Sequence, residues 1–333
     1  MKQYRAWFLS LVVVSQLALT GCGKSVKSSS IVSQTYQHAY GHTVSKDEFE
    51  TRKYPGQVIT LLKSGVTITA TYEDGVLHGP CTHTFPHSNT IETYLLYNKG
   101  NLVKKLTYSV KGLPLQEEVR LSPTRYTMTT WYMDGNPKSI EEHSSKELLE
   151  GKYFAPQTGE LESQVIKGEG ERIVRNAEGR LLFKDKISGG YLTEQNSFYP
   201  NGYPESIAHY YQGKLEGEMK IFAENGEPLA VKNYHNHQLH GKVILFQNGA
   251  PQVESSYVEG LKQGPELHYV DGEKVSQELH WMQGKLHGPS KYYVGDLVKV
   301  EYFYDGKAVS VEKWRELDKL DQMVARMAEG EGN

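Results

Sequence analysis

The sequence is poor in cysteine, with Cys22 and Cys81 as the only two in 333 residues. Small exported domains are often held by several disulfides, and two cysteines cannot supply such a framework. We therefore expect packing or repetition to hold the fold together. No basic cluster in the sequence would make the Cys81 thiol reactive, so we expect Cys81 to be a small buried residue.

Strong charge imbalance and long hydrophobic runs are also missing. The formal net charge is −3, so no nucleic-acid partner is expected. The apolar run Ala6–Ala18 is shorter than the roughly 20 residues of a membrane-spanning helix. Lys2 and Arg5 precede this run and Leu-Thr-Gly-Cys follows it at 19–22. This order is typical of a secretory signal peptide over residues 1–21.

The sequence at 19–22 resembles the lipobox of bacterial lipoproteins. The resemblance implies cleavage before Cys22 and a covalent diacylglycerol or fatty acid group on that residue, which would anchor the chain to a membrane. No other cofactor is expected. In such lipoproteins an Asp directly after the lipidated cysteine favours retention in the inner membrane. This chain has Gly23 at that position, so we expect the protein at the outer membrane in a cell that has two membranes. The Ser- and Lys-rich sequence that comes next predicts a flexible tether over residues 22–50.

Recognisable catalytic motifs are absent too. The chain contains no Gly-x-Ser-x-Gly and no His-Glu-x-x-His. A phosphate-binding loop requires its glycines to lie directly before a helix. The glycine pairs of this chain lie between predicted strands instead. Glu169 and Glu171 flank Gly170, a pattern typical of a solvated turn. We expect no enzymatic activity, although the paired carboxylates of a hydrolase can come from distant segments.

Glycine and tyrosine are abundant, with 32 and 23 residues, and they recur in a pattern. The motif Tyr-x-x-Gly-x-Leu-x-Gly returns every 23–24 residues in the C-terminal half. Its first glycine position is occupied by Gly213, His237, Gly260 and Gly284, and its second by Gly217, Gly241, Gly264 and Gly288. At two places the motif departs from its own pattern, because His237 replaces the first glycine and Lys262 replaces the leucine.

Two aromatic columns keep step with these glycines. The first column lies three residues before the first glycine position and consists of Tyr210, Tyr234, Tyr257 and Trp281. The second column lies five residues after the second glycine and consists of Phe222, Phe246, Tyr269 and Tyr293. We predict that the aromatics form a ladder on one face of a sheet and provide a candidate binding surface. A second turn closes each unit, at Asn225-Gly226, Asn248-Gly249, Asp271-Gly272 and Gly295-Asp296. Asn-Gly and Asp-Gly favour turns with positive φ at both central residues, so each unit predicts two antiparallel strands.

This pattern resembles the variant MORN repeats of bacteria, often labelled YwqK-type antitoxin proteins. The match is specific over 199–309, and Tyr72 to Gly79 also fits the motif. We predict a degenerate repeat region over 51–198 and regular repeats over 199–309. The resemblance implies an elongated, single-layer antiparallel β-meander without catalytic residues.

The last segment changes period. Apolar residues recur every three or four positions, at Val311, Trp314, Leu317, Leu320, Val324 and Met327. This spacing predicts an amphipathic helix within a C-terminal helix and tail at 310–333. We expect the helix to cap the open end of the sheet, with partner binding as the alternative.

Three histidines form a weak metal candidate. His235 and His237 are two residues apart, and residues two apart share a face in a strand. His240, however, lies in the same repeat column as His78, Glu216, Gln263 and His287, and a column that accepts such different residues is typical of an exposed turn position. We therefore predict no metal site.

The sequence favours a membrane-anchored lipoprotein whose repeat sheet acts as a binding or scaffold surface at the cell envelope. An unidentified protein is the expected partner. An envelope hydrolase acting on glycan or cell-wall material is the main alternative, with its cleft in the irregular region 103–198. A toxin-neutralising role is a further alternative.

Overall fold

The computed structural model describes residues 30–330, and the chain is mainly β, with 64% of it in strands. The strands form an open antiparallel meander that ends in a C-terminal helix, which confirms the predicted fold class. The predicted signal peptide and Cys22 lie outside the described residues.

The chain divides into two compact units. Among the described residues, unit 1 comprises 30–145 and Pro156–Gly159, and unit 2 comprises Lys146–Ala155 and 160–330. Each unit is described by itself below.

Unit 1 is an antiparallel meander with one short helix. Its elements are β1 (Ile31–His38), β2 (Thr43–Val44), α1 (Lys46–Thr51), β3 (Gly56–Leu62), β4 (Thr67–Glu73), β5 (Val76–Thr84), β6 (Ile91–Asn98), β7 (Asn101–Tyr108), β8 (Pro114–Arg120), β9 (Arg125–Trp131) and β10 (Pro137–Ser144). Strand β1 pairs with β2 and β3, and each strand from β3 to β9 pairs with the next. A small core on this sheet surrounds the fully buried Cys81, as expected for that residue.

The fold begins earlier than the sequence predicts. Strand β1 pairs with β3 from Ile31 to His38, which corrects the predicted extent of the tether over 22–50. Four of its eight residues are exposed and none is fully buried, so the Ser-rich sequence can form it without much apolar burial. Helix α1 begins after Ser45, whose side chain accepts the Glu48 N–H, and it buries Phe49.

Unit 2 continues the same hairpin pattern. Its elements are β11 (Glu147–Phe154), β12 (Leu161–Ile166), β13 (Glu169–Arg175), β14 (Leu181–Ser188), β15 (Tyr191–Phe198), β16 (Pro204–Tyr211), β17 (Lys214–Phe222), β18 (Pro228–His235), β19 (Gln238–Gln247), β20 (Ala250–Val258), β21 (Leu261–Val270), β22 (Lys274–Met282), β23 (Lys285–Leu286), β24 (Gly288–Val294), β25 (Leu297–Tyr304), β26 (Lys307–Val309) and α2 (Val311–Gly330). Successive strands pair antiparallel, and β22 pairs with both β23 and β24.

Between 146 and 198, where the repeat pattern is faint, an aliphatic cluster takes over. Leu148, Val165, Ile173 and Ile187 are buried there together with Tyr153. Hairpins therefore persist after the glycine and aromatic columns fade, because alternating aliphatic residues also give a strand one apolar face.

The tightest turns of the regular repeats lie at the first glycine position. Gln212-Gly213 and Gln283-Gly284 have positive φ at both residues, as two-residue hairpin turns of this hand require. The predicted double positive φ is also found at Asn248-Gly249. At Asn225-Gly226 the prediction is wrong, because only Gly226 has positive φ. A longer loop forms there, in which the Ala223 N–H donates to the Glu227 carbonyl and the Gly226 N–H donates to the Ala223 carbonyl.

The second glycine of the first three motifs lies inside a strand, at a bulge, and Gly288 begins β24. Gly241 has φ +90°, and the register across β18 and β19 slips between Lys232 and Tyr234. Gly217 occupies the same place one unit earlier, at φ +80°. An L-residue pays a steric penalty in this region, which explains why this position repeats as glycine.

Helix α2 packs only partly. Ser310 accepts the Lys313 N–H at its start, the Trp314 ring lies 5.3 Å from that of Tyr302, and the Tyr304 hydroxyl donates to Asp321 at 2.9 Å. Asp321 also lies 4.0 Å from Nε2 of His287, between β23 and β24, so the predicted cap rests on side chains of β25 and on this histidine. Three residues of the predicted apolar stripe in the second half are exposed: Leu320, Val324 and Met327.

Candidate functional site

The first aromatic column lies on one face of the unit 2 sheet, called the first face below. Tyr234, Tyr257 and Trp281 each lie directly opposite the second motif glycine of the preceding repeat. These glycines have positive φ, so the backbone conformation and not the space for the ring requires glycine there. All four residues of the column, including Tyr210, are half-buried.

A central row of directly opposed residues runs beside this column on the same face. Its members are Ala208, Met219, Lys232, Val243, Ser255, Glu266 and Leu279. Most are buried, although no second layer of strands or helices covers them in the described part of unit 2. Their neighbours within the sheet therefore provide the burial.

The second aromatic column lies on the opposite face. Residues three apart in a strand point to opposite sides of the sheet. Three members of this column, Phe222, Phe246 and Tyr269, each come three residues after a member of the central row. The fourth, Tyr293, comes three residues after Ser290. The predicted single ladder is thus corrected to two rows on two faces.

The rings of each row also do not stack. Neighbouring members lie on alternate strands, so roughly 9–10 Å separates them. Among the described residues no ring contact joins two of the eight aromatics.

A charged group lies on the first face, and we call Lys262, Glu266, His268 and Trp281 the Glu266 cluster. The Glu266 side chain is 5% exposed and forms an ion pair with Lys262. It also contacts His268 Nε2 at 2.8 Å, and Lys262 Nζ lies 4.5 Å from the centre of the Trp281 ring. A buried carboxylate is costly unless it is paired in this way.

Two polar atoms near this row lack partners. Trp281 Nε1 and Ser290 Oγ are buried and make no hydrogen bond in the described structure, and Ser290 is 0% exposed. An unsatisfied buried donor is unfavourable by roughly 1–3 kcal/mol, so a protein keeps few of them. The first face therefore combines aromatic rings, a charge pair and unused hydrogen-bonding groups.

The tyrosines of the first face remain neutral donors. Burial raises the pKa of Tyr210 and of Tyr234 above its ordinary value, and nearby Asp185 adds to the effect at Tyr210. Both phenols stay protonated at neutral pH, so the column offers hydroxyl groups and no negative charge.

Sequence reasoning missed the Glu266 cluster, although one signal was present. Lys262 stands where the motif has leucine, and Glu266 stands where the preceding repeat has Val243. A charged residue at an inward position needs a partner, so these two departures together indicate a pair.

The three candidate metal histidines do not converge. Asn236 and His237 have positive φ and form the turn between β18 and β19, so His235 and His237 do not share a strand face. His235 contacts Glu216 at 2.9 Å, whereas His237 Nδ1 accepts the Leu215 N–H at 3.2 Å. The described residues contain no group of three side chains placed to hold a metal ion.

The column that contains His240 has a structural explanation. His78, Glu216 and Gln263 each accept the backbone N–H of the first turn residue in the next hairpin, at 3.3, 2.9 and 2.8 Å. This bond and the contact with His235 lower the pKa of Glu216. The position requires an acceptor, which Glu, Gln and imidazole all supply.

The region 103–198, where a hydrolase cleft was the alternative, holds carboxylates in ion pairs. Glu142 pairs with Arg125, Glu162 with Arg175 at 2.5 Å, and buried Asp185 with Arg172 at 2.7 Å. Each of these three carboxylates is therefore held by a cation.

No protein-family model matches the chain, and a search of curated proteins finds no match. The resemblance to variant MORN repeats stays a prediction that depends on the motif columns. None of the helices in residues 30–330 is long and apolar enough to cross a membrane.

Proposed function

We propose that this protein is a lipid-anchored envelope lipoprotein that binds a protein partner through the first face of its unit 2 sheet. The observation that carries this proposal is the single layer of strands, which leaves the aromatic column and the Glu266 cluster uncovered by any other described element of the unit. Such a sheet offers a broad surface.

The composition of the first face supports contact with a protein. Tyrosine and tryptophan are among the residues that dominate binding energy at protein interfaces. Rings that are already half-buried against the sheet lose little conformational freedom when a partner covers them.

The anchor is proposed from the lipobox at 19–22. Acylation of Cys22 places the chain at a membrane surface, and the fold begins only a few residues later, at Ile31. The sheet then works close to the membrane, at the outer membrane where the cell has one. No catalytic step is part of this function.

Site-specific photocrosslinking in intact cells tests the proposal. A photoreactive residue replaces Leu245, which is 40% exposed on the first face, and in a matched control it replaces Val258, 45% exposed on the opposite face. We expect a discrete protein adduct at Leu245 and none at Val258. The absence of any adduct at Leu245, or equal adducts at both positions, would refute the assignment of the first face.

A further inference from the structure

One lysine in the central row of the first face has no counter-charge. Lys232 lies directly between Met219 and Val243, which are 3% and 4% exposed, and is itself half-buried. In the part of the chain that the structure describes, its ammonium forms no ion pair and no hydrogen bond. The aliphatic stem of a lysine can pack among apolar neighbours only while the ammonium at its tip stays in water.

The other charges in this line of opposed residues are all paired. Beyond the central row the line extends to Arg172 at one end and to Glu301 at the other. Its remaining charged members and their partners are Arg172 with Asp185 at 2.7 Å, Glu266 with Lys262, and Glu301 with Lys299 at 2.7 Å. Lys232 is therefore an exception on a face that otherwise balances its charges locally.

A partner that covers the first face also covers Lys232. Leu245 lies opposite Ala230, so Leu245 is a diagonal neighbour of Lys232, roughly 7–8 Å away, and Tyr234 follows Lys232 on the same face. Removing an ammonium from water is strongly unfavourable unless an opposite charge replaces the water. A partner in contact with Leu245 must therefore bring an anion to Lys232.

We infer, on the basis of the function proposed above, that the partner places a carboxylate of an aspartate or glutamate against Lys232. Met219 and Val243 flank the lysine with apolar surface, which excludes water and strengthens a charge-assisted hydrogen bond. Tyr234 offers a ring beside the same position. The chemistry that fits this place is an acidic side chain surrounded by apolar ones.

A second copy of this chain does not supply that carboxylate. Over β16–β25 the line of opposed residues contains two carboxylates, Glu266 and Glu301, and each is already paired with a lysine. Transfer of either one to Lys232 of another copy would leave Lys262 or Lys299 without a counter-charge. The carboxylate therefore belongs to a different protein.

The photocrosslink at Leu245 measures the contribution of this charge. Lys232→Arg should keep the adduct within about twofold of the parent yield, Lys232→Met should lower it about tenfold or more, and Lys232→Glu should abolish it. Lys220→Met is the matched control, because Lys220 lies opposite Val231 on the other face and is 47% exposed there. It should leave the yield unchanged. All variants should keep the circular dichroism spectrum of the parent.

Carbodiimide coupling in isolated membranes identifies the anion. The reagent activates a carboxylate, the deprotonated lysine amine attacks the activated carbonyl carbon, and the reagent leaves as a urea, so an amide joins groups that were in contact. Mass spectrometry should find Lys232 joined to an aspartate or glutamate of the protein that Leu245 captures. The exposed pair of Lys285 and Asp305, at 2.5 Å, is the internal control for coupling.

The outcomes separate this assignment from the function on which it depends. The absence of an adduct at Leu245 in the parent protein would contradict the proposed function, and the assignment with it. An adduct whose yield is unchanged or higher in Lys232→Met would overturn the assignment alone. Coupling of Lys285 to Asp305 without any amide between Lys232 and the captured protein would do the same.

Discussion

Returning the Glu266 cluster to the apolar pattern of its neighbours tests how the first face is stabilised. In the preceding repeat Leu239 and Val243 occupy the positions of Lys262 and Glu266. The variants Lys262→Leu and Glu266→Val, alone and combined, therefore form a double-mutant cycle with residues that this sheet already accepts.

The two single variants should lower the free energy of unfolding by unequal amounts. Glu266 has a side chain that is 5% exposed, so Lys262→Leu leaves a buried carboxylate with only His268 as its partner. Breaking a fully buried pair costs roughly 3–5 kcal/mol, and the remaining imidazole reduces this to about 2–3 kcal/mol. Lys262 is 28% exposed, so after Glu266→Val its ammonium can reach water, at a cost of about 1 kcal/mol.

The combined variant should be about as stable as the parent or up to about 1 kcal/mol more stable, because apolar replacement of a buried ion pair is often neutral or favourable. The coupling between the two sites is then at least about 3 kcal/mol. Urea unfolding at about pH 7, followed by circular dichroism, measures all four stabilities.

The exposed pair Lys220 and Glu218, with side chains 47% and 42% exposed, is the control cycle and should give a coupling below about 0.5 kcal/mol. Equal couplings in the two cycles would show that burial does not govern the Glu266 pair. A double variant that folds normally but loses the crosslink at Leu245 would assign the cluster to partner binding.

Three further predictions concern separate parts of the chain. Mass spectrometry should find acyl chains on Cys22, and Cys22→Ser should release the protein from membranes; recovery of Cys22 unacylated, including in a disulfide with Cys81, would contradict the anchor. Lys291 lowers the pKa of Glu278 from 4.5 through a hydrogen bond, so this contact stabilises the fold fully above pH 4.5 and is lost as pH falls through the lowered value. Glu278→Gln should therefore flatten the acid limb of a stability–pH curve, and an unchanged limb would count against the pair. His237→Gly should raise stability by about 0.5 kcal/mol in thermal unfolding, because φ is +70° there, and a lower melting temperature would show that the imidazole contact outweighs the strain.

The sequence predicts the hairpins and α2 because both depend on local signals. Two-residue turns with a glycine and a period of three to four apolar residues act over short distances and need no tertiary information. The start of the fold could not be placed in the same way. Strand β1 is mostly polar, and its pairing with β3 joins residues 18 to 31 positions apart in the sequence. Helix α1 carried a missed signal, since Ser45 and Glu48 have capping-box spacing.

The division of the aromatics between two faces depends on counting across a turn. Each hairpin first reverses through two residues and then passes a bulge, as at Gly217, where extra residues enter one strand. Unless the turn and the bulge are known, the face on which Phe222 lies cannot be worked out from the face on which Tyr210 lies. The period alone therefore predicts two columns, and the backbone geometry decides that they are opposed.

The Glu266 cluster depends on the same bulge. In a regular strand, residues four apart are roughly 13 Å from each other, too far for the usual ion pair. Gly264 lies between Lys262 and Glu266 with φ +84°, and the register slips at this point, which brings the two side chains into contact. The glycine that defines the repeat therefore also makes the charged pair possible.

Comparison of Gly264→Ala with Gly241→Ala tests this dependence. A Cβ at Gly264 would meet nothing within 4 Å, and one at Gly241 would make only an ordinary 3.5 Å contact, so both variants should pay a similar backbone penalty of about 1–2 kcal/mol. Gly264→Ala should cost about 1–2 kcal/mol more, because a relaxed bulge also separates the Glu266 pair. In the Lys262→Leu, Glu266→Val background that difference should vanish, since no pair remains to be broken. A difference that persists there would show that the bulge at Gly264 is needed for a reason other than the charged cluster.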